Sequence, residues 1–466
     1  MVFDGGLSSM SKTATSQLHR NLRLCTWDGL TATPLVYLLQ PGNFVLAALL
    51  TGLYQLPPAT YGLIVSLPFW GNFAQAFLMP FMDRIFAAKT VTLIFCSFQV
   101  LCWGAMAVAL SFLPTDAPAI SGPWFIAFFT VSAAVTAFTG VSWISWIQEW
   151  VPRRLRGKYF GARNRLMQLA QVVFLVLVGE LINRQSGSVR AFQFLLGASV
   201  VLRVISVLLQ HRMRTHSETV RSEARAPWKE QLNVLLGTPA FLWFVGYGAA
   251  WGFAANTFGP FYAVFMYNEL GWTVKDVSQL VILTSVGGAL SYPAWGALAD
   301  RFGNKPVMLF CMIAWQLQNF LWCFLRPGND WMLYGMWSFG GMMAAGFTLG
   351  LFNIQLKLIP AKAKTLAISV NLAFTSLVTA IAPVIGGTVL GHFLTPTGDA
   401  LRTYHLVFLL QPILALLACL LLVRVHENAA SPLASVVGAM RNIRTLSGMF
   451  GLGFLANYIF VKTPRR

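Results

Sequence analysis

Apolar runs of about 17 to 25 residues, each long enough to cross a bilayer, recur along almost the whole 466-residue chain. In hydrocarbon every backbone N–H and C=O must find its partner within the protein, so runs of this kind form helices packed against one another. Twelve are predicted. The first six are 25–53, 61–82, 90–113, 124–148, 158–182 and 188–210. The second six are 239–267, 277–299, 306–326, 331–357, 365–393 and 403–425. Composition fits, since 56% of residues are hydrophobic and only 10% charged, against roughly 25% charged in soluble domains. The longest polar connection, "QHRMRTHSETVRSEARAPWKEQLNVLLGTPA", separates six helices from six. The expected layout is a tail over 1–23, bundles over 24–210 and 239–425, a connection over 211–238, and a second tail over 426–466.

The net charge of +18 would suit nucleic acid only if the basic residues shared one face of a soluble module. They are instead spread over short loops, so the expected partners are a lipid bilayer and a small solute, with no nucleic acid. Of the 33 Lys and Arg residues, 27 fall in the N-terminus, the even-numbered loops and the C-terminal tail. By the positive-inside rule both termini are then cytoplasmic, in the plasma membrane. The stretch "TLSGMFGLGFLANYIFV" is apolar but flanked by basic residues, and is expected to lie along the inner leaflet. Six cysteines show no paired spacing, so no metal, disulfide framework or cofactor is expected, and the chain is expected to be a monomer.

Two stretches repeat. "MPFMDRIFAAKTVTL" and "GALADRFGNKPVML" align at an offset of 217, pairing Asp83 with Asp300, Arg84 with Arg301 and, one helix upstream, Gly71 with Gly288. "VPRRLRGKYFGARN" and "IPAKAKTLAISVN" share a proline, a cation four residues on (Arg156, Lys364) and an Asn (Asn164, Asn371). Echoes at equivalent loops imply a duplicated six-helix unit. An Asp that closes a helix is poorly placed for its own dipole and needs a nearby positive partner. Breakable contacts of that sort suit a protein with two conformations.

The stretch "GALADRFGNK" resembles the GxxxDRxGxx(R/K) loop of the major facilitator superfamily of secondary transporters, through Gly296, Asp300, Arg301, Gly303 and Lys305. The first copy keeps Asp83, Arg84 and Lys89 but has Met79 where the glycine belongs. The resemblance covers about residues 20–425. It implies an all-α membrane protein whose twelve transmembrane helices form two pseudo-symmetric six-helix bundles. These loops would then act as a cytoplasmic latch, with Glu149, Arg156 and Arg163 as further members. The family's helix 5 drug-antiporter motif, sugar-porter signature and helix 4 arginine are absent.

Polar groups inside the membrane are costly and therefore candidates for function. Helix 1 is the most polar, with Asp28, Tyr37, Gln40 and Asn43, and Pro34 and Pro41 loosen its backbone. Asp28 is a candidate for coupling to a proton or sodium ion, or else an Arg-paired or snorkelling carboxylate. Asn72, Gln75, Thr139, Gln168 and Gln171 are further cavity candidates in the first half. Tyr247, Trp251, Asn256, Asn371 and Thr375 are their counterparts in the second. Arg203, inside helix 6, is expected to snorkel. With no acid–base pair visible deep in the helices, a neutral or zwitterionic solute is favoured, and Trp and Tyr suit a ring.

A transporter of a small solute working by alternating access is the favoured function, with no enzymatic activity. A membrane enzyme would need clustered acids or histidines at one face, and the sequence has only scattered ones. A transport-incompetent relative acting as a sensor or assembly factor is the alternative.

Overall fold

The computed structural model describes residues 12–85, 87–185, 187–213, 228–394, 398–427 and 431–440. The protein is an all-α membrane protein. In the first half the long helices are α1 (Lys12–Leu38), α2 (Pro58–Ile85), α3 (Ala88–Ala109), α4 (Pro118–Trp150), α5 (Arg153–Arg184) and α6 (Val189–Arg212). In the second half they are α7 (Pro239–Phe258), α8 (Val274–Phe302), α9 (Asn304–Asn319), α10 (Met332–Leu358), α11 (Lys364–Phe393) and α12 (Ala400–Val423). Nine helices among the described residues are long and apolar enough to cross a membrane, and a bent pair that includes α7 makes a tenth. The other two long helices, α1 and α2, are not among these. Helices of both units carry apolar side chains to the surface, among them Leu101, Val108, Leu177, Phe352 and Leu420, as a lipid-facing surface requires.

The chain divides into two compact units. Unit 1 comprises Met1–Leu56 and Leu67–Arg225, and unit 2 comprises Pro57–Ser66 and Ala226–Arg466. In unit 1, α1 packs on α5 and α6, and α3 on α4 and α6. In unit 2, α7 packs on α11 and α12, and α9 on α10 and α12. The same pairs therefore recur at a step of six helices. The aligned glycines make physical sense in this scheme. Gly71 on α2 brings its backbone against the Ala133 carbonyl of α4, where an added Cβ would lie 2.8 Å away. Gly288 on α8 meets the Gly341 carbonyl of α10 in the same way, at 3.3 Å. Small residues at crossings let apolar helices approach closely where no water drives them together.

Several boundaries differ from those expected. Helix α1 starts at Lys12 rather than near residue 25, so the described part of the N-terminal tail is helical. The first expected crossing, 25–53, is also interrupted. Gly42 takes φ 66°, a conformation glycine reaches without a Cβ penalty, and Asn43 restarts the chain as the N-cap of Phe44–Ala47, which runs into a π-helical turn over Ala48–Leu53. The polar connection contains a helix, Trp228–Leu236, joined to α7 at an 82° bend. Pro239 stands in the first turn of α7, where its missing N–H costs nothing. The stretch expected along the inner leaflet lies outside the described residues.

The tightest crossing tests this packing. On α11, a Cβ at Gly386 would collide with the Thr257 carbonyl of α7. Gly386→Val is therefore expected to cost about 1–3 kcal/mol by overpacking, read as a lowered melting temperature of the purified protein. An unchanged melting temperature would contradict the crossing.

Candidate functional site

Asp28 lies on α1 and is 1% exposed. A buried carboxylate is expensive unless it is paired and hydrogen-bonded, and three neighbouring helices supply its partners. Ser206 Oγ and Gln210 Nε2, both from α6, donate to Asp28 Oδ1 at 2.6 and 2.8 Å. Trp143 Nε1 of α4 donates to Oδ2 at 3.4 Å. Arg163 Nη2 of α5 stands 3.8 Å from the same oxygen. Arg163 is in turn fixed by its Nε, which donates to the Cys25 carbonyl at 3.1 Å, and by the Trp143 ring 4.7 Å away. Gly29 leaves room for the guanidinium, because any Cβ there would run into it. Of the readings left open for Asp28, this is the Arg-paired one, in a buried rather than an interfacial setting.

Arg203 does not snorkel. It is 4% exposed and donates to Gln99 Oε1, Ser206 Oγ and Cys96 Sγ, each at 3.0 Å. The acceptors that satisfy it sit on α3 and α6, so it has no need to reach the interface. Through Ser206 it joins the Asp28 network. The expectation that no acid–base pair lies deep in the helices is thus corrected, because Asp28 and Arg163 come from separate helices and only folding reveals their pairing.

These groups form one end of a cavity of about 490 Å³ built entirely from unit 1. Tyr37, Gln40, Thr139, Gln168 and Gln171 line the rest of it. Tyr37 is held edge-on by Phe44 and Phe174, with ring centroids 6.3 and 6.0 Å away. Thr139 gives its hydroxyl to the Val135 carbonyl, so it offers the cavity mainly a methyl and a spare lone pair. The side-chain amides of Gln40, Gln168 and Gln171, unlike the Gln40 backbone, have no hydrogen bond to any described residue and are available to a ligand.

Other candidates are placed elsewhere. Asn43 is committed to the break after α1: its Nδ2 donates to the carbonyls of Leu38 and Gln40 at 2.9 and 3.0 Å, and its Oδ1 accepts from Leu46 N at 3.0 Å. Asn72 and Gln75 lie on α2 and do not line this cavity. In unit 2, Asn256 donates to the Gly252 carbonyl of its own helix, and Thr375 to the Asn371 carbonyl. Tyr247 is fully buried with its hydroxyl unpartnered, as is Asn371 Oδ1. Trp251 lines a separate cavity within unit 2.

The repeated loops contain a feature absent from the motif. Lys89 Nζ donates to the Met213 carbonyl, just past the end of α6, at 2.7 Å. Lys305 Nζ donates to the Val423 carbonyl, the last residue of α12, at 2.7 Å. Each lysine therefore caps the sixth helix of its own unit, where a cation suits the exposed carbonyls. Gly303, at φ 95°, makes the turn that places Lys305. Glu427, which sequence reasoning missed, accepts from Asn304 Nδ2, Lys305 N and Lys357 Nζ at 2.9, 2.7 and 2.7 Å. Asp300 and Arg301 are exposed, with Arg301 over the Phe302 ring at 5.0 Å. Gly296 has open space around it, and Glu149 is exposed near the end of α4. The side chains of Asp83, Arg84 and Arg156 lie outside those described. Arg163, expected with this latch, belongs to the cavity instead.

An all-helical membrane chain with a solute-sized cavity among its helices is an architecture that suits a transporter. The model of the Major Facilitator Superfamily matches residues 35–262 and 248–464, and the chain belongs to that family. No match is found among curated proteins. Among solved structures it is similar to the D-xylose–proton symporter, with TM-score 0.68 and 13% identity over 89% of this chain and 99% of that one. A mutant of the nucleoside transporter NupG gives 0.65 and 15%, over 85% and 99%. A bacterial homolog of the human lysosomal transporter Spinster, inward-facing and unoccupied, gives 0.61 and 15%, over 91% and 100%.

Proposed function

We propose that this protein is a secondary transporter that carries a small polar solute across the cytoplasmic membrane by alternating access, with both termini cytoplasmic. The observation that carries the reading is the unit 1 cavity, where three unpaired glutamine amides face the same space as the Asp28–Arg163 pair. Amides that can donate and accept suit a solute rich in hydroxyl or amide groups, and the Tyr37 and Trp143 rings suit a flat face. The cavity's size falls within the range of small-molecule sites, about 300–1,000 Å³. Asp28 balances Arg163, while Arg203 donates only to the neutral Gln99, Ser206 and Cys96, so the site keeps a net positive charge that suits the carboxylate of a zwitterionic solute or the oxygens of a neutral one. The similar structures include carriers described as a nucleoside transporter and a D-xylose–proton symporter, solutes of comparable size.

Asp28 is proposed as the coupling site. A proton there would cancel its attraction for Arg163 and free the guanidinium, which gives the two protonation states different contacts. Only such a difference can bias an equilibrium between conformations. The Asp300 and Arg301 loop, with Asp83 and Arg84, remains the proposed latch, and the working unit is a monomer.

A solute library screened by thermal stabilisation of the purified chain tests the site. A stabilising solute is expected to lose roughly three- to tenfold in affinity for each of Gln168→Ala and Gln171→Ala, one neutral hydrogen bond apiece. Unchanged affinity in both variants would remove the solute from this cavity.

A further inference from the structure

Unit 2 contains its own cavity, of about 350 Å³, formed between α7, α8, α9, α10 and α12. Its lining differs in kind from that of unit 1. Four tryptophans, Trp251, Trp315, Trp322 and Trp337, contribute to the wall, and none of the described lining residues is charged. Tyr262 stacks on Trp322 with centroids 4.0 Å apart and planes within 12°, while Trp251 lies 5.7 Å from Trp315. These rings brace one another and leave a mainly apolar slot.

Three polar atoms at this slot have no hydrogen-bond partner: Tyr262 Oη, Gln318 Oε1 and Gln411 Oε1. Gln411 is only 5% exposed. Within a membrane such atoms are costly, since no bulk water can satisfy them. Gly340 keeps the space beside them open, because a Cβ there would stand 3.3 Å from Trp315 Nε1 and 3.4 Å from Gln318 Oε1. By contrast, Thr284, on the same wall, spends its hydroxyl on the Leu280 and Trp337 carbonyls. The three unpaired oxygens all belong to residues that line this slot.

We infer that unit 2 holds a second ligand site, selective for a neutral, planar ring that donates hydrogen bonds through N–H or O–H groups. Ring faces supply the apolar contact, and the glutamine oxygens accept from the ligand's edge. An anion is disfavoured, because no cation lines the wall to offset its desolvation. A ring without donors is disfavoured because it would leave the three oxygens unsatisfied. The site is independent of the solute site proposed for unit 1.

Radiolabelled indole, which is neutral, flat and carries one N–H, is the probe. Binding to the full chain in detergent is measured by scintillation proximity, with unlabelled indole or naphthalene as competitor. One saturable site per chain is expected, displaced by indole and not by naphthalene. Ala344→Phe, which fills the slot, should abolish it. Ala255→Leu fills the same cavity from α7 and is read instead should Ala344→Phe fail to fold. Gln318→Leu and Gln411→Leu should each weaken binding roughly three- to tenfold. The proposal is overturned by the absence of saturable binding, by equal affinity in the filled variants, or by displacement with naphthalene as efficient as with indole. Loss of binding in Gln171→Ala with retention in Ala344→Phe would also overturn it, since indole would then occupy unit 1.

Discussion

Replacing Asp28 with asparagine is expected to destabilise the protein by about 3–5 kcal/mol, the cost of breaking a buried ion pair by removing one partner. Asparagine keeps the shape and can still accept from Ser206 and Gln210. It leaves Arg163, 7% exposed, with its carboxylate gone and only a carbonyl and a ring beside it. The double variant Asp28→Asn with Arg163→Gln should recover a good part of the loss, because no unpaired member of the ion pair then remains. Thermal or denaturant unfolding of the four proteins in a double-mutant cycle measures the coupling. Strictly additive losses would show that the two side chains do not depend on each other.

Glu427→Gln has the second largest expected effect, about 2–4 kcal/mol, because it weakens three hydrogen bonds to a charged acceptor. The Glu427 side chain is 6% exposed, whereas its partner Lys357 is 57% exposed and can return to water. This asymmetry keeps the loss below that expected at Asp28. Burial pushes the Glu427 carboxyl up, but the bonds from Lys357, Asn304 and the Lys305 N–H outweigh it and hold it below its ordinary value of 4.5. A depressed folded pKa gives stability that is fully present above the unfolded value and is lost as pH falls through the folded one. Wild-type protein should therefore lose stability on acidification below about pH 4.5, and Glu427→Gln should flatten that part of the profile. Equal acid sensitivity in both proteins would exclude the role given to Glu427.

The helical architecture was largely legible in the sequence because bilayer thickness imposes a length on every apolar run. The duplication was legible as well, since Gly71 and Gly288 mark equivalent crossings. What escaped was pairing between helices distant in sequence. Asp28, Arg163 and Arg203 were each visible, but their spacing along the chain carries no record of which faces meet. The same is true of Glu427, which looks like an ordinary tail residue until Asn304, Lys305 and Lys357 converge on it. Asn43 misled for a local reason. A polar residue in an apolar run reads as functional, yet here the backbone break at Pro41 and Gly42 occupies both amide N–H groups of Asn43 and one site on its oxygen.

The two lysine caps also sharpen the meaning of the repeated loop. Lys89 and Lys305 fasten the sixth helix of each unit, which stabilises each unit in its own right. Any latch between conformations therefore falls to the Asp and Arg of the motif rather than to the lysine.

On the function proposed, solute binds in the unit 1 cavity and is carried from there. The most direct test of this is uptake into proteoliposomes of a solute identified by thermal stabilisation, comparing wild type with the Gln168→Ala, Gln171→Ala double variant. Saturable uptake by wild type, cut roughly tenfold or more in the double variant as two hydrogen bonds are lost, is the predicted result. Uptake that is unchanged in the double variant, or absent for every solute that binds wild type, would contradict the account.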